Sequence, residues 1–412
     1  MTPKDREILR QLAQKQLEIY HSPKNQERIA LWKRHNAGKG ERPVIHLELE
    51  TFEQEVIPQR LRCEDPAARE LEAALYRNFL NVSELDDDWV VPDYFPVVWR
   101  TWFFPFGHEI TRTFVSDKNG GHSLGHHFNY VIGDLEEDWE QVRPSVYGVD
   151  RASTQAYFDA AQEAFGDLLP VKLSTNCLYS VPTQDVVHLM GMENMCFAMY
   201  DYPELFKKMM DRLTDDYLSY FTFLKNEGVL LPTTGFEWVG QGSRSFTDEL
   251  PADHVNGPED MWGFMDSQET VSISPDMFGE FIFPYYRKVA SAYGLLSYGC
   301  CEPIDPVWQY IRQLKNLRKV SCSPWCNEEF MAEQLRGTPI IFHRKPSPNF
   351  LGVGEKLEEE ALREHIRRTL QTASGCHLEI TQRDVYTINH DLAKAQRYVA
   401  IIREEIENYW KP

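Results

Sequence analysis

The chain has 412 residues, and 63 acidic against 43 basic residues give it a formal charge of −20. This excess argues against nucleic-acid binding, which needs a basic face, and against binding to an anionic membrane surface. Hydrophobic residues make up 42%, enough for a large core, yet no apolar run reaches the roughly 18 residues of a membrane span. The charged N-terminus lacks the apolar segment of a signal peptide, so we expect a cytoplasmic protein.

Residues 1–165 are predicted to form an extension that packs on the main domain and supplies its first elements. The predicted elements are polar helices within 1–42, a strand at 43–50, a helix over 64–85, and an aromatic, proline-rich strand and loop at 86–107. The aromatic side chains of 94–106 suit either a core or the wall of a pocket. The segment GGHSLGHHFNY (120–130) holds three histidines, and we interpret it as a solvated loop because its glycines disfavour a helix.

Residues 166–412 show a regular alternation of strands and helices. Predicted strands lie at 168–176, 228–238, 261–269, 294–301, 318–324, 338–346 and 377–384. Predicted helices lie at 183–200, 203–228, 275–293, 303–315, 356–374 and 391–410, with another that starts at Asn327. This alternation predicts an α/β fold, a single (β/α)8 barrel with the N-terminal extension. A doubly wound sheet is the alternative, but the glycine-rich phosphate-binding turn that usually accompanies it does not occur.

In such a barrel the active site lies where the strands end, and polar or thiol residues follow most of the predicted strands. We expect Asp266 and Glu269 to orient the substrate or handle a proton. For Asp266 an equally good alternative is a structural salt bridge with Arg344 or Arg383. The candidate substrate-binding residues are Glu237, Gln268, Tyr298, His343 and Arg383.

The eight cysteines are too scattered for a disulfide scaffold. Cys300 and Cys301 follow a predicted strand, and Cys376 precedes the last predicted strand. Because thiolates select zinc, and catalytic zinc keeps one position open for a substrate, a zinc site is a chemically sensible interpretation. Small buried thiols are the alternative. The carboxylates that would complete the metal site are Glu280, Glu302 or Asp266.

Four segments resemble the uroporphyrinogen decarboxylase superfamily. They are WGFMDSQE (262–269), ISPDMFGEFIFPYYRKV (273–289), LLSYGCCEP (295–303) and ASGCHLEI (373–380). The resemblance covers about 170–412 and implies a single (β/α)8 barrel. The early R-x-P-x-W-x-M-R-Q-A-G-R signature of the true decarboxylases is absent, which argues against porphyrin decarboxylation. The sequence is more similar to the corrinoid-linked, cobalamin-dependent methyltransferase branch.

That branch uses zinc held by an H-x-C pair and a later cysteine. The resemblance places Cys376 as the later cysteine and Cys300 or Cys301 as the earlier one, with Tyr298 or Gly299 in place of the histidine. It implies a zinc-dependent methyltransferase that moves a methyl group between a corrinoid protein and a small donor, such as a methoxylated aromatic, or a thiol or folate acceptor. The chain lacks a D-x-H-x-x-G motif, so the corrinoid is expected on a partner protein.

Two other functions stay open on the sequence alone. A metal-free decarboxylase or lyase would act on a small carboxylated substrate at the same end of the barrel. A non-catalytic binding protein would have a filled barrel mouth, which the polar strand ends argue against. We expect the N-terminal region (1–165) either to cover the barrel mouth or to mediate contacts in a homodimer.

Overall fold

The structure is a computed structural model that describes residues 1–48, 53–116 and 123–411. Its helices are α1 (Pro3–Tyr20), α2 (Pro23–Asn36), α3 (Pro66–Leu80), α4 (Arg151–Phe165), α5 (Pro182–Met190), α6 (Met192–Asp201), α7 (Pro203–Asn226), α8 (Pro275–Phe281), α9 (Phe283–Ala290), α10 (Trp308–Ile311), α11 (Glu328–Leu335), α12 (Asn349–Gly352), α13 (Glu359–Thr372) and α14 (Leu392–Tyr409). Its strands are β1 (Val44–Leu47), β2 (Phe95–Val98), β3 (Thr101–Phe104), β4 (Arg112–Ser116), β5 (Ser123–Phe128), β6 (Val146–Val149), β7 (Val171–Ser174), β8 (Leu178–Ser180), β9 (Trp238–Val239), β10 (Ser243–Arg244), β11 (Trp262–Met265), β12 (Leu295–Tyr298), β13 (Leu317–Cys322), β14 (Ile341–Arg344) and β15 (His377–Gln382).

A seven-stranded sheet in the order β8-β11-β12-β13-β14-β15-β1 forms the centre of the protein. Every neighbouring pair in it is parallel. The strands β2 and β7 form a separate parallel pair, and β7 leads into β8 after residues 175–177. Within the described residues no ladder joins β1 to β2. The predicted α/β fold with parallel strands is therefore confirmed, but the structure shows an open sheet at this seam and not a closed eight-stranded barrel.

The starts of the helices follow local sequence signals. The Ser274 hydroxyl accepts a hydrogen bond from the Met277 N–H, and Pro275 occupies the first turn of α8, where a missing N–H costs nothing. The Asn327 side chain caps α11 in the same way. The helix predicted over 275–293 is divided into α8 and α9, because Pro284 has no N–H to continue the hydrogen-bond ladder.

Three predicted elements differ in the structure. Most of 228–238 is not a strand, and only its end enters the short β9–β10 hairpin. The helix predicted over 303–315 is reduced to α10 and a short turn before it. His126 and His127 lie in the antiparallel β4–β5 hairpin and not in a loop, whereas His122 lies outside the described residues.

The central sheet has two different buried faces. The apolar side chains of Val320, Phe342 and Ile380 join the main hydrophobic core. The alternate residues in the same strands are polar, and Lys319 pairs with Glu379 at 3.0 Å with both side chains fully buried. Lys319 also donates to the Ser243 hydroxyl of β10. The β9–β10 hairpin therefore covers the polar face of the sheet and supplies a hydrogen-bond acceptor to the Lys319 ammonium. A buried charge needs such partners to offset its loss of hydration.

Among the described residues, no helix combines the length and apolarity needed to cross a bilayer. The division of the chain into 1–165 and 166–412 stays a prediction. The strand β1 comes from the first part, and it completes one edge of the central sheet beside β15.

Candidate active site

The carboxyl ends of four strands of the central sheet bring thiol, acidic and basic side chains together. Because parallel strands end on the same edge of a sheet, the residues that follow β11, β12, β14 and β15 become neighbours. Contacts or electrostatic interactions join them into one group. We call this group the edge cluster, and its members are Asp266, Cys300, Cys301, Lys345 and Asp384.

The two adjacent thiols lie past the end of β12. Gly299 has φ of 96°, a left-handed conformation that glycine adopts without strain, and it turns the chain away from the ladder. The Sγ atoms of Cys300 and Cys301 are 3.5 Å apart, and Cys301 Sγ lies 3.6 Å from Asp384 Oδ2. Their mutual contact lowers the pKa of Cys301 and raises the pKa of Cys300. Cys301 is therefore the thiol of the pair that ionises first.

Lys345 and Gln241 meet beside Cys300. The Lys345 ammonium donates to the Cys300 carbonyl oxygen at 2.9 Å and to Gln241 Oε1 at 3.1 Å. The Cys300 thiol donates to the same Gln241 oxygen at 3.3 Å. Gln241 forms the tip of the β9–β10 hairpin with φ of 36° between two glycines, Gly240 and Gly242, that also have positive φ. A strained non-glycine residue that reaches two functional groups indicates a positioning role.

Asp266 is a buried acid at the centre of the site. It is 3% exposed, and its Oδ1 has no hydrogen-bond partner in the described part of the chain. Burial raises its pKa well above the ordinary value, and the negative charges of Glu302 and Glu269 add to this shift. The acid form of Asp266 therefore persists to higher pH than that of an exposed aspartate.

Two predicted ligands hold the loops of the site together. Glu302 accepts hydrogen bonds from the Cys300 N–H at 2.8 Å and from the Ser267 N–H at 2.9 Å. The Tyr298 hydroxyl donates to the Ser267 hydroxyl at 2.7 Å and is fully buried. Because Tyr298 is the last residue of β12 and faces the core, it does not reach the edge as expected for a substrate ligand. Glu302 uses both carboxylate oxygens on backbone N–H groups and is not arranged as a metal ligand.

Cys376 lies at the opposite edge of the sheet from Cys300 and Cys301. It precedes β15, whereas the pair follows β12, and six residues of strand span about 20 Å. Its thiol contacts the Ala332 carbonyl oxygen at 3.4 Å, and burial raises its pKa to about 11. Glu280 is an exposed residue of α8 and pairs with Lys207 at 2.8 Å. The predicted metal ligands therefore do not meet.

The side chains at the edge do not fit a zinc site as they stand. Zinc needs three or four ligands around one point at about 2.0–2.3 Å, and in the described ranges no three His, Cys, Asp or Glu side chains form such a group. The positive charges of Lys345 and Arg383 also act on both thiols. These charges would repel a metal cation bound there. Zinc itself stays a prediction.

The remaining predicted residues divide between the edge and the interior. Arg383 lies at the edge and pairs with Glu48 at 3.0 Å and with Asp384 at 3.5 Å. His343 is buried in the polar face of the sheet, beside Thr381 at 2.8 Å, and burial lowers its pKa to about 3. It is thus a neutral interior residue and not a substrate ligand at the edge.

Glu269 and Gln268 lie in the turn after β11. The Thr183 hydroxyl, at the start of α5, donates to Glu269 Oε2 at 2.9 Å, and burial raises the pKa of Glu269. Gln268 is half-buried. Arg344, the alternative partner of Asp266, instead pairs with Glu328 at 3.3 Å, so the predicted structural salt bridge to it does not form.

A cavity of about 310 Å³ lies beside the β9–β10 hairpin, with residues of β2 and β7 in its wall. The Arg244 guanidinium packs between two of its wall residues, 4.0 Å from the Trp89 ring and 4.1 Å from the Trp238 ring. Glu237 lines this cavity and accepts a hydrogen bond from the Tyr94 hydroxyl at 3.4 Å. Glu237 is thus a cavity residue and not a member of the edge cluster. Other lining residues are Phe236, Pro96, Val98, Ser174 and Asn176.

Three residues of the site were not predicted. Lys345 directly follows β14, and Asp384 lies two residues after β15, so their position after a strand was an available signal. Gln241 lies 59 positions from its contact Cys300, and no local pattern indicates that contact.

Comparison with solved structures finds 31 matching chains. A methyltransferase from Methanosarcina mazei matches with a TM-score of 0.52 and 12% identity, over 92% of this chain and 98% of that chain. This chain therefore shares its overall fold with that protein. A B12-independent methionine synthase from Shewanella sp. W3-18-1, in complex with selenomethionine, matches at 11% identity over 72% of this chain and 76% of that chain, but its TM-score of 0.28 is too low to support an argument. No protein-family model and no curated protein matches the chain.

Proposed function

We propose that the protein is a methyltransferase and that the edge cluster is its active site. The observation that carries the proposal is the buried Asp266 carboxyl, whose raised pKa favours the acid form and whose Oδ1 has no partner in the described residues. Cleavage of a methyl ether leaves an alkoxide or phenoxide, and a positioned acid can protonate that oxygen. The methyltransferase-like fold supports this assignment.

Lys345 and Arg383 supply positive charge at the same edge in an otherwise strongly acidic protein. In this proposal the Lys345 ammonium binds the oxygen that becomes negative during the reaction, because a preorganised donor stabilises developing charge most effectively in a buried site. Arg383 is proposed to face a carboxylate of the substrate. Gln241 Oε1 holds the ammonium in place.

The aromatic cavity is proposed to hold the ring of a methoxylated aromatic donor. Trp238 lies in the cavity wall, and Gln241 touches the edge cluster. Three Cα-to-Cα steps separate Trp238 from Gln241 and span at most about 10 Å, which is the length of a substituted ring. The cavity and the edge are therefore within reach of one small substrate.

The methyl acceptor in this proposal is a corrinoid carried by a separate protein. The sequence resemblance supports it, together with the lack of a corrinoid-binding motif in the chain. Zinc and a homodimer stay predictions, and the roles given to the residues above do not depend on either.

The test is a methyl-transfer assay with free cob(I)alamin as acceptor and a panel of methoxybenzoates as donors. We expect the wild-type protein to form methylcobalamin, measured by its absorbance, and Asp266→Asn to be slower by about 10²–10⁴-fold, the usual contribution of a general acid. Glu280→Gln is the matched control, because Glu280 is an exposed carboxylate away from the site. Equal rates for Asp266→Asn and the control would contradict the proposal.

Decarboxylation is a second candidate that the same geometry favours. Loss of CO2 leaves a carbanion that needs a proton, which Asp266 can supply, and the two cations match a carboxylate. Release of CO2 from a benzoate without any methyl acceptor would support this function, whereas methylcobalamin formation supports the first.

A further inference from the structure

We propose that Cys300 and Cys301 close reversibly into a vicinal disulfide that inactivates the site. The thiols are neighbours in both sequence and space, with their sulfurs 3.5 Å apart, against about 2.05 Å in a disulfide. The effect on activity rests on the proposed function. The formation of the bond does not, so the two parts can be tested separately.

The turn after β12 is what brings the sulfurs together. Adjacent residues in a strand point to opposite faces of the sheet, which keeps neighbouring thiols apart. Gly299, with φ of 96°, ends that alternation one residue before Cys300. The pair therefore needs a combined movement of only about 1.5 Å to reach bonding distance.

The two thiols differ in their exposure to solvent. Cys301 is half-buried, whereas Cys300 is 7% exposed. A low-molecular-weight disulfide from solution therefore meets Cys301 first.

The Cys301 thiolate attacks one sulfur of this oxidant, which forms a mixed disulfide and releases one thiolate. Cys300, after losing its proton to solvent, then attacks the Cys301 sulfur and releases the second thiolate. The protein loses two electrons and the oxidant gains them.

The product is expected to be easily reduced. The Cα atoms of adjacent residues are about 3.80 Å apart across a trans peptide, which is shorter than the roughly 4.4–6.8 Å usual for a disulfide. Such a bond is strained, and strained disulfides are the labile ones. The pair therefore suits a switch and not a permanent structural link.

Formation of the disulfide would disturb the hydrogen bonds that position the residues of the site. The Cys300 carbonyl accepts from Lys345 at 2.9 Å and from the Ser321 hydroxyl at 2.7 Å, and its N–H donates to Glu302 at 2.8 Å. Rotation of Cys300 toward Cys301 changes the geometry of all three hydrogen bonds. Lys345 thereby loses the position that the proposed reaction requires.

The experiment treats the full-length protein with glutathione disulfide, followed by alkylation of free thiols and peptide mass spectrometry. We expect the wild-type peptide that contains both cysteines to lose two hydrogens and to resist alkylation. Cys300→Ser should retain glutathione on Cys301, because no second thiol resolves it, and Cys301→Ser should react far more slowly. Cys376→Ser is the matched control and should behave as wild type. Stable glutathione on wild-type Cys301, or no reaction there, would overturn the proposed bond.

Two further measurements separate the switch from the function. Oxidation should lower methyl transfer at least tenfold, and dithiothreitol should restore it. A disulfide that forms without loss of activity would overturn the switch and leave the proposed function intact. A disulfide that forms in a protein whose reduced form transfers no methyl group would overturn the proposed function alone. Stoichiometric zinc that both thiols retain against the oxidant would overturn the switch.

Discussion

Replacing Asp266 by asparagine removes a proton donor while keeping its shape. Asp266 is 3% exposed, and asparagine has nearly the same volume, so we expect no cavity and little change in packing. If Asp266 protonates the leaving oxygen, the rate of methyl transfer falls by about 10²–10⁴-fold. This corresponds to an increase of about 3–5 kcal/mol in the activation barrier.

The same substitution has a pH signature in stability. Burial and the nearby negative charges raise the pKa of Asp266 in the folded state above its unfolded value. The unfolded state therefore binds fewer protons than the folded state as pH rises above about 4, and this residue lowers the stability of the wild-type protein progressively. The asparagine side chain does not ionise, so Asp266→Asn should gain stability relative to wild type as pH rises, although it loses activity.

Two measurements check this combination. Urea unfolding at pH 5 and pH 8 gives the stability difference, and the methylcobalamin assay at the same two values gives the rate. An Asp266→Asn variant that keeps its rate refutes the role of proton donor. A variant that loses both rate and stability at pH 8 refutes the description of a raised pKa and indicates that the carboxylate is needed for folding.

Three other substitutions test the surroundings of the site. Gln241→Gly removes a left-handed non-glycine residue, which stabilises the folded state by about 1–2 kcal/mol, but it raises the entropy of the unfolded chain, which costs about 0.4–1 kcal/mol. The melting temperature should therefore stay equal or rise, and a large fall would contradict the strain. The value of kcat should fall, because Lys345 and Cys300 lose a shared hydrogen-bond acceptor. Lys345→Gln should lower kcat with little change in KM, because the ammonium stabilises negative charge that develops only during the reaction. The exposed control Lys315→Gln should change neither, and equal kcat values for the two variants would exclude this role of Lys345. Asp185 is a buried residue of α5 that accepts a hydrogen bond from the Tyr217 hydroxyl at 2.5 Å and interacts electrostatically with Glu269. Burial raises its pKa from 3.8 to about 7, which costs about 4 kcal/mol of stability as pH rises from about 4 to about 7. Asp185→Asn should lose this slope in urea unfolding, and an unchanged slope would contradict the shift.

The positions of the helices and strands were largely predictable, because neighbouring residues in the sequence determine where such elements begin and end. Ser274 with Pro275, and Asn327, mark helix starts that the structure confirms. The strand ends were also placed closely enough to group Asp266 with Cys300 and Cys301, because residues that follow parallel strands share one edge.

The failures arise from contacts that depend on the whole fold. Cys376 was placed with the other thiols on the resemblance, although its position before a strand puts it at the amino edge. Gln241 reaches the site through a hairpin that crosses the polar face of the sheet, and its cation-binding oxygen has no sequence signature. The absence of a ladder between β1 and β2 in the described residues is a property of the whole fold that no local periodicity encodes.

The central claim is that methyl transfer takes place at the carboxyl edge of the sheet, with Asp266 as acid. The most direct measurement follows a carbon-13 methyl group from a methoxybenzoate in the presence of cob(I)alamin by NMR. We expect the labelled carbon to move from oxygen to cobalt with the wild-type protein and to stay on oxygen with Asp266→Asn. A label that stays on oxygen with both proteins, while the carboxyl carbon leaves as CO2 only with wild type, would contradict it.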